Sequence, residues 1–510
     1  MILPRNSCVV YLFGKTMPVL VLILLAVLLA PASASAAGDV EIGMEDERLL
    51  LSDPFKAPGA VADWRELGVD VVRLHASWSR IAPPGRRRPR DFRPRNHRDP
   101  RYQWGPLDSA IGLVRGNGMR VMLTVTGPGP VWTSRQRPKK RGAYKPDPRA
   151  FAAFARAVAV RYGDDVDRYL IWNEPNLTLA PRRECSGRPR RCVPVAPHLY
   201  RGLVRAAGPA IEAADPGAEI VVGELAPLPL AGAQGPITFL REMACVTSRY
   251  QPIRGGRCRN FRPVKADAIG HHPHGRRRAP DRSNPNPDSA QVGNLSRLLA
   301  VVDRLTRKGR IRASRARLPL RLTELGYQTS PPDRYIGVSP ERQARYLEKV
   351  AYLAWRNPRV ATVTQYQWED ERVRRSGKGA RAFAGWQSGL HFFSGRPKPA
   401  LAAFTRPFVA LEDGSRAGPL VWGQVRPGTS HAIVLERRDP SSGEWRTRAT
   451  FTTDPRGVWA MRLGTGAGVA GRYRFTSRAT DPPEAPEAVS GTVTLGRPRA
   501  VKTPRLIAAR

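Results

Sequence analysis

From residue 39 to about 408, short apolar runs alternate with stretches whose apolar residues recur at helical spacing; beyond about residue 419 the spacing shortens to a period of two. The first rhythm predicts parallel strands joined by crossover helices, and the second a small antiparallel module. Strands are expected over residues 40–44, 69–75, 120–126, 168–172, 219–222, 266–270, 318–323 and 361–367. Between them, Phe151, Phe154, Ala155, Val158 and Tyr162 share one helical face, with Asp147 and Pro148 as start signals. Residues 291–305 and 340–355 follow the same pattern, and these faces are expected to pack on the sheet. An α/β rhythm of this kind fits a doubly wound sheet or a closed barrel, and the strand count matches a (β/α)8 TIM barrel spanning residues 38–408.

Residues 409–418 carry Glu-Asp-Gly-Ser-Arg-Ala-Gly and read as a linker. Strands are then expected over 420–425, 432–437, 445–451, 458–463, 471–477 and 490–495, short and evenly spaced by turn residues. They predict a small C-terminal β-sandwich of immunoglobulin or fibronectin type over 419–496, with Trp445 and Trp459 facing its core and a spacer or accessory role. Residues 497–510 read as a basic tail. At the other end, Arg5 and Lys15 precede the apolar run 17–30 and the Ala/Ser stretch 32–37. This is the pattern of an export signal over residues 1–37, cleaved near Ala36, and it predicts a secreted protein. The run is shorter than the roughly 18 to 20 apolar residues of a membrane span, which leaves a retained anchor as the alternative.

Loss of the signal removes Cys8 and leaves four cysteines in an oxidising compartment. Three connectivities are open to them. The local pairs Cys185 with Cys192 and Cys245 with Cys258 are favoured, because each would staple a loop that lacks apolar anchors. Zinc ligation is the weaker reading, since no pair has two-residue spacing beside histidines. The 84 Lys and Arg against 43 Asp and Glu give a formal charge of +41 over 510 residues, so the surface attracts polyanions at least non-specifically. An arginine-rich proteome would produce the same excess.

Two glutamates stand where strands end, the position at which barrel enzymes place their chemistry. One strand closes in Trp-Asn-Glu-Pro-Asn (172–176) with Glu174, where Pro175 bars further ladder pairing, and another closes in Thr-Glu-Leu-Gly (323–326) with Glu324. They are the fourth and seventh strands. Two carboxyls converging at roughly 5 to 5.5 Å can cleave a glycosidic bond with retention, one as acid/base and one as nucleophile. So close a pair is expected to hold each other's pKa up.

On these two motifs, residues 39–408 resemble the cellulase-type clan A glycoside hydrolases, in the manner of families 5 and 39. The resemblance implies a secreted retaining O-glycoside hydrolase with Glu174 as acid/base and Glu324 as nucleophile, acting on poly- or oligosaccharides without a cofactor or metal. Transfer to a sugar acceptor would use the same residues. By position it implies that Asn173 bonds the sugar 2-hydroxyl, that Arg73 at the end of the second strand keeps Glu324 ionised, and that Trp368 is the aromatic platform, with Trp386 as competitor. The Gly-His-His-Pro-His-Gly run at 270–275 invites a metal reading, but His271 and His272 should face opposite ways on a strand. The resemblance places His272 among the subsite residues and His274 where relatives carry Tyr.

Basic clusters at 86–101, 135–141, 182–191, 276–278 and 372–381 all follow strands and should ring the catalytic face, while 254–262 and 307–317 fall opposite. A basic rim would select an acidic polysaccharide as substrate. The alternative class is a non-catalytic polyanion-binding protein, which has no need of the glutamate pair. A specific nucleic-acid partner is not expected, for want of a basic motif interleaved with aromatics, and the chain is expected to be a monomer.

Overall fold

Each of the eight apolar runs of the first region forms a strand: β1 (Glu41–Glu45), β2 (Val71–Ser77), β3 (Arg120–Thr126), β4 (Val166–Ile171), β5 (Glu219–Leu225), β6 (Ala268–His271), β7 (Leu320–Leu325) and β8 (Val360–Tyr366). All pairings between them are parallel, and β8 pairs back onto β1, closing a (β/α)8 TIM barrel. The computed structural model describes residues 40–136, 142–186, 191–230, 232–374, 385–480 and 487–496. The export signal, the basic tail and parts of three basic clusters lie outside the described residues. Among the described residues no helix is long and apolar enough to cross a membrane.

The helices form where the periodicity placed them. Helix α1 (Pro148–Tyr162) starts where the Asp147 side chain accepts from the Arg149 and Ala150 amides, and it buries Phe151, Phe154, Ala155, Val158 and Tyr162 against the sheet. Helices α2 (Leu295–Arg307) and α3 (Pro340–Arg356) follow β6 and β7.

Inside the barrel the side chains lie in layers. At the N-terminal end Arg168 and Arg321 converge on Glu41, and Arg321 also reaches Glu219. Val71, Met122, Leu170, Val221 and Ala268 make an apolar plug above them. The next layer up, at the C-terminal mouth, is polar again and holds the candidate site. The plug keeps the two charged layers apart, so each must be satisfied internally.

The C-terminal module has two antiparallel sheets, as expected of a β-sandwich, but it begins earlier than the linker reading implies. Residues 409–411 lie in strand β9 (Phe408–Leu411), which pairs with β10 (Leu420–Gln424), itself paired with β13 (Val458–Arg462). The second sheet holds β11 (His431–Arg438), β12 (Trp445–Thr452), β14 (Gly471–Ala479), β15 (Ala488–Val489) and β16 (Val493–Leu495). Phe408 and Val409 are fully or nearly fully buried, which draws this stretch into the sheet. Trp459 is in the module core, whereas Trp445 is only half-buried, under the Arg474 guanidinium. Trp422 is completely buried between Tyr352 and Trp355 on the last two turns of α3. Since α3 runs antiparallel to the strands, its C-terminal end lies at the bottom of the barrel. The module is thus seated away from the mouth.

Candidate active site

Arg73, on β2, is completely buried and organises the polar layer. Its Nη1 donates to Glu45 Oε2 over 2.6 Å and to Glu324 Oε1 over 2.7 Å. Its Nη2 donates to Glu224 Oε2 over 2.6 Å and Asn173 Oδ1 over 2.9 Å, and its Nε to Thr124 Oγ1 over 3.0 Å. A planar five-donor fork suits such a cage, and the surrounding carboxylates hold the guanidinium pKa well above its ordinary value despite burial.

The barrel brings the two predicted glutamates together. One carboxylate oxygen each of Glu174 and Glu324 lies within 4.8 Å of the other. They border a cleft of about 250 Å3 together with Glu47, His75, Asn173, Tyr366 and Trp386. Glu174 is held by an unusual backbone: Trp172 and Glu174 both sit in the left-handed region, at φ 65° and 43°. Such residues cost about 1 to 3 kcal/mol each and persist where the surroundings over-determine them. Here the Trp172 ring packs outward on Phe151 and its indole N–H donates to Thr178 Oγ1, while the Glu174 amide donates to the Glu224 carbonyl.

The histidines divide as the strand alternation required. His271 points away from the mouth, with Nε2 at 2.6 Å from the Ala290 carbonyl, and burial lowers its pKa to about 3. His272 points inward; its Nδ1 lies 3.2 Å from Glu174 Oε1 and 3.5 Å from Glu324 Oε1, and its Nε2 lies 3.5 Å from Glu224 Oε2. Burial alone would lower its pKa, but Glu324, Glu174 and Glu224 raise it to about 10. The three carboxylates around it thus favour its protonated form. His274 reaches the other oxygen of Glu324, Nε2 to Oε2 at 3.5 Å, and packs on Trp386 with centroids 4.6 Å apart. His274 therefore stands between Glu324 and the Trp386 ring.

One expectation is reversed. Glu324 is not held up by its neighbour: burial does raise its pKa, but the charges of His272 and Arg73 outweigh this and carry it well below the ordinary carboxylate range. The upward shift falls on Glu45 instead, which burial pushes to about 7 against the pull of Arg73, with Glu324 adding to the rise. Trp368 is a second correction. Two residues beyond the end of β8, it is buried edge-on against Trp64 (6.2 Å) and against the His391 ring (4.3 Å), in the shell between strands and helices. Tyr366 ends β8 and Trp386 faces it edge-on at 5.4 Å, so these two supply the aromatic wall of the cleft.

Sequence reasoning missed Glu45, His75 with its ion-pair partner Glu47, and above all Glu224. Glu219 and Val221 face the barrel interior, so alternation sends Glu224 outward. A register shift between Gly223 and Leu225, with Glu224 at φ 51°, turns it inward to Arg73 and to the Thr323 hydroxyl at 2.6 Å. Gly270 on the neighbouring strand makes room, since a Cβ there would stand 2.0 Å from Glu224 Oε1. The only sequence signal was an acid beside a glycine at a strand end.

Both local disulfides are formed, Cys185–Cys192 and Cys245–Cys258.

No family model matches the sequence, and no curated protein matches it. Solved structures similar to it include glycosidases. A glucosidase from Croceicoccus marinus aligns at TM-score 0.48 and 14% identity, over 86% of this chain and 95% of that one. A monomeric beta-xylosidase from Caulobacter crescentus aligns at 0.46 and 15%, over 83% and 93%. A beta-glycosidase from Thermosphaera aggregans aligns at 0.42 and 14%, over 72% and 95%.

Proposed function

We propose that the chain is a retaining O-glycoside hydrolase of the clan A type. The observation that carries this reading is the approach of Glu174 and Glu324 within 4.8 Å at the C-terminal mouth of the barrel, with Glu324 kept anionic by Arg73 and His272. An ionised, buried and hydrogen-bonded carboxylate is the form needed to attack an anomeric carbon.

In the first half-reaction Glu324 forms a bond to the anomeric carbon while Glu174 gives its proton to the departing glycosidic oxygen. The sugar–enzyme ester removes the negative charge of Glu324, and Glu174, now anionic, takes a proton from the water that attacks the same carbon and releases Glu324. Asn173, fixed to Arg73 through its Oδ1, presents its amide N–H groups to the sugar 2-hydroxyl. Trp386 and Tyr366 form the wall against which the ring sits. His274 orients the second oxygen of Glu324. The disulfides and the export signal read in residues 1–37 fit work outside the reducing cytosol.

Activated 2-deoxy-2-fluoro glycosides of several sugars test the mechanism, because they accumulate the ester. Mass spectrometry of a peptic digest should find the label on Glu324, and Glu174→Gln and Glu324→Gln should each lower turnover of glycan by about 10³-fold or more with folding intact. A label on another residue, or near-normal turnover by either variant, refutes the assignment.

A further inference from the structure

We propose that a cationic groove beside the catalytic cleft binds an acidic polysaccharide through guanidinium groups, holding the polymer several sugars from the bond that Glu174 and Glu324 cut. The last clause rests on the function proposed above; the binding does not.

The groove has a volume of about 830 Å3 and runs between the segment that follows β2 and the outer face of α1. Arg88, Arg93 and Arg95 line it from the first, Arg149 and Arg156 from the second, and Trp132, from the loop after β3, forms a wall. Arg73, Arg161, Arg168, Arg321 and Arg359 of the barrel each hold a carboxylate. In the groove, none of the five guanidinium groups is paired with a carboxylate among the described residues. Its one acid, Asp147, is already used in capping α1.

The shape is built to receive something. Arg149 and Arg156 stand seven residues apart, on one face of the helix and about 10 Å apart along its axis, and the small Ala150 and Ala153 between them leave the floor open. Trp132 is fixed in place, its indole N–H donating to the Pro83 carbonyl over 2.9 Å and its ring edge-on to Trp78 and Phe92. Five like charges around a concavity raise its potential, and an anion relieves that repulsion.

Carboxylate and sulfate groups match the guanidinium fork, and an indole face suits the C–H face of a sugar ring. A single-stranded nucleic acid would want successive aromatic platforms, and the groove has one. The catalytic cleft leads toward it: past His75 it continues along Ser77 and Ser79 to the turn at Gly127 and Pro128, in the loop that carries Trp132.

Titration calorimetry on the full Glu324→Gln chain reads binding without cleavage. The probes are a heparin decasaccharide, a polygalacturonate decamer, cellohexaose and single-stranded DNA of matched charge, each at low and high salt. At least one acidic oligosaccharide should bind more tightly than cellohexaose and DNA, with affinity that falls as salt rises. Arg93→Ser/Arg95→Ser/Arg149→Ser/Arg156→Ser should weaken it on the order of tenfold or more, and Arg149→Glu alone should weaken it in the same direction. Thermal midpoints equal to the parent's certify folding of these substitutions, three of them exposed and Arg156 half-buried. Equal binding by parent and variants, preference for cellohexaose, or tighter arginine-dependent binding of DNA overturns the proposal. Arginine-dependent glycan binding by a chain that cleaves no glycan would leave the groove standing and remove the hydrolase reading.

Discussion

Arg73 Nη1 donates to Glu324 Oε1 over 2.7 Å while the same nitrogen donates to Glu45 Oε2 over 2.6 Å. The two carboxyls share one cation yet shift in opposite directions: Glu324 falls below its ordinary range and Glu45 rises to about 7. His272 explains the difference, because its charge lies 3.5 Å from Glu324. Arg73→Met should strand Glu45, Glu224 and Glu324 without their cation and destabilise the barrel by about 3 to 5 kcal/mol. Arg73→Lys keeps the charge, cannot fork to five acceptors, and should fall between. Urea unfolding midpoints check this, and a parent-like midpoint for Arg73→Met would contradict the cage.

Stability should depend on pH through the same residues. Glu324 has a depressed pKa in the fold, so its contribution is present above about 4.5 and lost as pH falls through the lower folded value. His272 has a raised pKa, so its contribution is complete below 6.5 and is lost as pH rises toward and through about 10. Thermal midpoints measured from pH 6.5 to 10 should decline, and His272→Gln should flatten that decline although the variant is less stable at neutrality. An unchanged slope would mean that His272 is not cationic in the fold.

The two tryptophans should separate by phenotype. Trp386→Ala removes the cleft wall and the ring on which His274 packs, so it should raise KM severalfold or more with a modest effect on unfolding. Trp368→Ala empties a buried position beside Trp64 and should cost about 3 to 5 kcal/mol. Steady-state kinetics beside denaturation curves tell these apart; the reverse pattern would return the platform to Trp368.

The disulfides should contribute unequally. Cys245 and Cys258 are buried, close a 13-residue separation, and Cys245 Sγ accepts from the buried Arg201. Replacing both by Ala should cost about 3 kcal/mol. The exposed Cys185–Cys192 bridge closes a shorter hairpin of separation 7, so its loss should cost less, as differential scanning calorimetry of the two double variants would reveal.

All eight barrel strands and helices α1 to α3 were legible in the chain, because each buries a face whose period is written in consecutive residues. Glu174 and Glu324 were legible for a related reason: a strand that stops at an acid, or at Asn-Glu-Pro, marks the mouth of a barrel. The opposed directions of His271 and His272 also follow from local alternation.

What local alternation could not determine is which side chains leave their parity. Glu224 turns inward through a bulge that exists because Gly270 on the next strand yields space for its carboxylate. Trp368 turns away from the cleft because Trp64 and His391 close around it, and Trp386 enters from beyond residue 384 to take the position. Strand β9 emerges from an apparent linker because β10 offers it a ladder and α3 offers Trp422 a seat. The carboxyl titrations follow the same logic: Glu324 is lowered by a cation 52 positions earlier in the chain at His272 and another on β2, 251 positions earlier, and long-range charge has no signature in neighbouring residues. Sequence determined the elements and the acids at their ends through local periodicity; only tertiary packing decided which groups share a buried cation.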